Sequence, residues 1–199
     1  MIFLTKPTRE KIKNILISRA GAAYTYKEVG ASFTENTIPS GFSVSRYCRF
    51  IGYGNHLFNI ASTGISTCVM YELPFTEFHL INNSKTPEKG AIMAVAARHF
   101  GLWSVNPVRI VYKGEHFDNG EHFFSLAVGT LSGHEESGEE KFTTRLSKDN
   151  RVFYEVYSFH KPSRLILKIA YPVVNLVLKR FYLYSAEAII KYCKKFADL

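Results

Sequence analysis

YPVVNLVLKRFYLYSAEAIIKYCKKF, residues 171–196, carries the apolar period of one long helix. At about 100° per residue, Val174, Val177, Leu178, Phe181, Ala188, Ile189, Tyr192 and Phe196 fall on one side of a helix. Arg180, Glu187, Lys191 and Lys194 fall on another, and Glu187 with Lys191 makes a favourable i,i+4 pair. The spacing predicts a long amphipathic helix in the chain after Pro162. Its apolar stripe is too broad to be left in water, so something in the preceding chain must cover it.

That chain reads mostly as strands. FSVSRYCRFIG has strand composition, and further candidates are 75–81, 91–99, 108–113, 122–131, 139–146 and 152–159. Turn signals separate them: NNSKTPEKG, SVNP, DNG, SGHEESG and SKDN. Near the start, TKPTREKIKNILISRAG reads as a short helix with Ile12, Ile15, Leu16 and Arg19 at helical spacing. YGNHLFNIASTGISTCVMYEL reads as one or two short helices, weakened by Gly64. A strand, short helices, a run of antiparallel strands and a long closing helix predict an α+β, helix-grip fold. In it a curved seven-stranded antiparallel sheet wraps around the C-terminal helix and leaves a cavity between them. This order is similar to that of the START-like and birch-pollen-allergen superfamily. One domain over 1–199 is expected, with residues 1–23 as a helical extension.

Composition narrows the function classes. The chain has 199 residues, 46 % of them hydrophobic and 21 % charged, which is ordinary globular usage. Cys48, Cys68 and Cys193 are odd in number and widely spaced, with no C-x-x-C pair, and predict a reducing compartment. No apolar stretch reaches the ~20 residues that span a bilayer. A cytoplasmic protein is expected. A net charge of +8 suits anionic partners, yet nucleic-acid motifs are absent and the aromatics follow strand alternation. No nucleic-acid partner is expected. The basic KYCKK near the C-terminus offers weak contact with an anionic membrane surface, or simply complements the helix dipole.

GTLSGHEESGEEKF, residues 129–142, crowds one histidine and four glutamates together and could be a metal or acid–base site. A structural hairpin is the simpler reading. Gly133 and Gly138 supply positive φ, adjacent glutamates on a tip point apart, and no second histidine has ligand spacing. Period-2 alternation turns Glu140, Phe142, Thr144 and Leu146 toward the core. A two-residue turn at Asp149-Asn150 would then set Thr144 opposite Glu155 and Phe142 opposite Tyr157. The expected cavity liners are Tyr112, Phe142, Thr144, Tyr157 and Phe181, with Glu140 and Glu155 orienting a ligand. Glu140 and Glu155 would lie roughly 13 Å apart, too far for a glycosidase-type pair. No P-loop, G-x-G-x-x-G, G-x-S-x-G or H-E-x-x-H motif occurs, and no catalytic residue, metal ligand or cofactor is assigned.

YTYKEVGAS (24–32), PSGF (39–42), IGYG, RIVY (109–112), the GTLSGHEESGEEKF block and YSFHKPSR (157–164) occur in one order. Together they resemble the uncharacterised domain-of-unknown-function family nineteen-ninety, from about Tyr24 to the C-terminus. His160 departs from the serine usual in that family. The resemblance implies a START-like fold and brings no established activity. The expected function is binding of an apolar or aromatic, lipid-like molecule in the cavity. Two alternatives stay open: a cyclase- or hydrolase-type enzyme using a cavity carboxylate, and a basic membrane- or protein-docking module with a solid core.

Overall fold

A computed structural model describes residues 1–35, 40–81, 86–163 and 171–197, with side chains of the last helix described from Leu176 to Phe196. The chain opens with β1 (Ile2–Phe3) and α1 (Arg9–Ile17). Thr8 caps α1 by accepting from Lys11 N–H at 3.2 Å, and Ile12 and Leu16 are its buried side, as their spacing predicts. Then come β2 (Ser43–Tyr53), α2 (Asn55–Ser66) and a 3₁₀ turn (Val69–Tyr71). The strands β3 (Thr76–Leu80), β4 (Ile92–His99), β5 (Leu102–Asp118), β6 (Glu121–Thr130), β7 (Glu136–Leu146) and β8 (Arg151–Pro162) follow. The long helix α3 (Tyr171–Ala197) closes the chain. Residues 164–170, part of the segment expected to be helical, lie outside the described residues, as does the side chain of Val174. No helix among the described residues is long and apolar enough to cross a membrane.

The strands pair antiparallel in the order β2-β8-β7-β6-β5-β4-β3, and β1 adds to β5. The expected architecture is present: a curved open antiparallel sheet with the long helix held against one face. Concave-side residues Phe124, Leu126, Val128, Phe142, Tyr154 and Val156 join Phe58, Ile65, Tyr182, Ala186 and Ile189 from the helices in one large core. The two helices approach closely because position 64 has no side chain. A Cβ there would lie 3.1 Å from the Tyr192 ring and 3.2 Å from Ile189 on α3. Gly64, a weakness by propensity, is what lets α2 and α3 pack.

Two turns depart from the expectation. SVNP is not a turn; Ser104–Pro107 runs inside β5, and the chain reverses earlier at Phe100-Gly101, with φ of 51° and 82°. Pro107 is tolerated because its carbonyl, and with it its nitrogen, faces the β6 side, where the ladder has ended and only Leu131 N–H reaches it. The β7–β8 loop holds Lys148, Asp149 and Asn150 rather than two residues. Ser147 pairs with Arg151 across it, and Asn150 takes φ of 65°. The pairs are therefore Leu146 with Val152, Thr144 with Tyr154, Phe142 with Val156 and Glu140 with Ser158. A one-residue slip reverses every side chain of β8. Glu155 and Tyr157, expected on the concave face, are on the convex one. Cys48 pairs with Glu155 and is exposed on the same side.

Candidate functional site

Between the concave face and α3 lies a cavity of about 480 Å³. Its walls are largely apolar: Val95 and Ala97 from β4, Val108 from β5, Val128 from β6, and Val177, Leu178 and Phe181 from α3. The rings of Tyr71 and Phe181 stack at 5.8 Å along this wall. Ile2, Phe100 and Leu102, all exposed, stand at the rim.

The other end of the cavity is built by the 129–142 block and β8. Each glutamate of the block goes to a different place. Glu135 Oε1 takes the Met1 ammonium at 2.6 Å. Glu136, the first residue of β7 rather than a turn residue, faces His160 on β8, with Oε1 3.0 Å from Nδ1. The other nitrogen of that ring is 3.1 Å from Ser45 Oγ. Glu139 points to the convex side. Glu140 points into the cavity beside Tyr182, whose hydroxyl lies 2.8 Å from Ser158 Oγ. Burial pushes the Glu140 carboxyl up to about 8, Glu136 adds to the rise, and the nearby Tyr182 hydroxyl opposes it. Glu140 is half-buried, and the protein packed around its carboxyl is the largest cause of that rise. His134 accepts the Glu136 backbone N–H at Nδ1 (2.9 Å), and burial pulls it down to about 4, so the ring is neutral with Nε2 carrying its proton. Among the described residues no group of three or more His, Cys, Asp or Glu converges as a metal site.

Glu139 organises the back of the sheet. It is 2 % exposed because the chain from Tyr24 to Glu35 lies over it. Tyr26 Oη donates to it at 2.6 Å, Gly30 N–H at 2.8 Å and Ser32 N–H at 3.0 Å, and Ser32 Oγ donates as well. Gly129 makes room for this, since a Cβ there would overlap Tyr26 Oη and the Tyr24 ring. The Gly and Glu of the block thus fix a segment that begins with the YTYKEVGAS motif.

Of the expected liners, Glu140 and Phe181 are at the cavity. Phe142 is on the concave face, fully buried behind the cavity wall and edge-on to Tyr71 and Phe181. Thr144 is also concave, but in solid core between Phe124 and Tyr154. Tyr112 is convex, because the β-bulge between Ile110 and Tyr112 turns it outward against Phe33 and 2.7 Å from Ser32 Oγ. Tyr157 packs on the convex face with Tyr26 and Phe159, under Arg46. Glu155 pairs there with Arg145 at 2.8 Å. The reading from sequence missed Tyr182, Ser158, Glu136 and His160 as members of the polar end. The correct β7–β8 register would have found Ser158 and His160, which stand opposite Glu140 and Gly138.

Residues 25–188 match the family described as "Domain of unknown function (DUF1990)". A UPF0548 protein of Arabidopsis thaliana is 24 % identical, the match covering 96 % of this chain and 98 % of that protein. Among solved structures, a START superfamily protein from Mycobacterium smegmatis has a TM-score of 0.51 and 11 % identity, covering 78 % of this chain and 99 % of that one. A norcoclaurine synthase from Thalictrum flavum, in complex with a transition-state analogue, has a TM-score of 0.50 and 13 % identity, covering 80 % and 98 %. At these identities the structures are evidence of the shared fold.

Proposed function

The chain belongs to the DUF1990 family of uncharacterised proteins, and from that premise we propose that it is a cytoplasmic binding protein holding an apolar or aromatic small molecule between sheet and α3. The observation that carries this reading is the cavity itself. About 480 Å³ is within the range of small-molecule pockets, and apolar walls with a few polar groups at one end suit a ligand with an apolar body and one functional head. The cytoplasmic location is supported by the three free cysteines.

A second reading has one observation in its favour. Glu140, held protonated near neutral pH in apolar surroundings, has the character of a general acid. Glu155, the other carboxylate considered for such a role, is on the wrong face. The likeness to norcoclaurine synthase is one of fold and does not choose between binding and catalysis.

Native mass spectrometry of gently purified protein tests the binding reading. Wild type should carry a non-covalent small-molecule adduct, and Val95→Trp, which puts an indole into the cavity from β4, should not. An adduct of the same mass on both proteins would place the ligand elsewhere.

A further inference from the structure

We propose that the cavity selects a cationic ligand: an apolar or aromatic body bearing a protonated amine that pairs with Glu140. This rests on the cavity-binding reading and adds the chemistry of the ligand's head.

The charges around the cavity lead there. Among the described residues that line it, the titratable acids and bases are glutamates, histidines and Tyr71, with no lysine or arginine. Glu135 is matched by the Met1 ammonium and Glu136 faces His160. Glu140 has no cation beside it among the described residues. The titratable groups it feels are Glu136 on its own strand, Tyr154 on β8, Tyr71 on the 3₁₀ turn and Tyr182 on α3. None of these brings a positive charge. A buried carboxyl without a cation keeps its proton, as Glu140 does.

Three ligand heads can be compared on that background. A carboxylate head would be buried against glutamates with no lysine or arginine among the described lining residues to receive it, which is costly. A hydroxyl head can hydrogen-bond Glu140, Tyr182 or Ser158 and gains moderately. An ammonium head turns Glu140 into its carboxylate, forms a charge-assisted hydrogen bond, and lies among the rings of Tyr71 and Phe181, whose faces also attract cations. The overall charge of +8 works in the opposite direction, drawing anions to the protein. A preference for the amine would therefore report the cavity and not the surface.

The test uses the whole protein and three probes of one chain length: dodecylamine, dodecanol and dodecanoate. Each displaces the neutral dye N-phenyl-1-naphthylamine at pH 7. Dodecylamine should bind about tenfold more tightly than dodecanol, and dodecanoate weakest. Glu140→Gln should weaken dodecylamine about tenfold and dodecanol far less, because the glutamine amide still hydrogen-bonds a hydroxyl while it cannot become an anion. Wild type alone supplies a second readout. With Glu140 near 8, amine binding at pH 7 should expel about 0.9 proton per ligand, seen by calorimetry in buffers of different ionisation enthalpy, and dodecanol none. Dodecanoate binding as tightly as dodecylamine, a Glu140→Gln protein with unchanged preference, or amine binding without proton release would each overturn the inference while dodecanol binding upholds the cavity. Failure of the dye and all three probes to bind would remove the binding reading and this inference together.

Discussion

Phe142→Ala should lower folding stability by about 3–5 kcal/mol. Phe142 is 0 % exposed on the central strand β7, flanked by Leu126 on β6 and Val156 on β8. Its ring meets Tyr71 and Phe181 edge-on, at centroid distances of 5.5 and 6.3 Å. Truncation removes the ring's transfer energy and leaves a void that the sheet cannot close, because the ladders on both sides hold the backbone in place. Urea denaturation should show a lower midpoint with an unchanged slope. A loss below about 1 kcal/mol would mean that the centre of the sheet packs differently from this account.

Glu139→Ala should cost about 3 kcal/mol or more, on the opposite face and by a different mechanism. Four donors converge on this carboxylate, from Tyr26, Gly30 and Ser32. Hydrogen bonds to a charged acceptor are worth about 1.5–3 kcal/mol each, and buried donors left without one add a penalty. Water entering as the segment lifts will recover part of the loss. Amide hydrogen exchange should therefore accelerate first at Gly30 and Ser32, ahead of the sheet. Stability within about 0.5 kcal/mol of wild type, with those amides still protected, would show that the 24–35 segment is held by its aromatic contacts alone.

How much of this was legible in the sequence follows from which interactions are local. The helical period of α3, the buried Ile12 and Leu16 of α1, and the Asn119-Gly120 turn are set by neighbouring residues, and each is where it was expected. The deepest line on α3 runs through Tyr182, Ser185, Ala186, Ile189 and Cys193, partly beside the expected stripe. Two of these residues carry hydroxyls whose partners, Ser158 and Tyr154, lie on a strand far away in sequence. Hydropathy counts such groups as polar although they are satisfied inside.

The polar end of the site depended on one turn. Ser147 Oγ accepts Arg151 N–H at 3.1 Å and lies 2.5 Å from Asp149 Oδ1, which favours the longer loop over the Asp149-Asn150 turn. That single residue exchanges Glu155 and Tyr157 for Tyr154, Val156 and Ser158 on the concave face. The bulge that turns Tyr112 outward leaves no comparable mark in RIVY. Glu139 was correctly read as facing away from the core, yet away from the core is not toward water. A segment more than a hundred residues earlier in the chain covers it.

Fluorescence titration with N-phenyl-1-naphthylamine reads out whether a ligand-holding cavity lies under α3. A saturable, blue-shifted enhancement at about one dye per chain is expected, lost in Val95→Trp and retained in Glu155→Gln on the convex face. No saturable enhancement in wild type, or equal binding by the Val95→Trp protein, would contradict it.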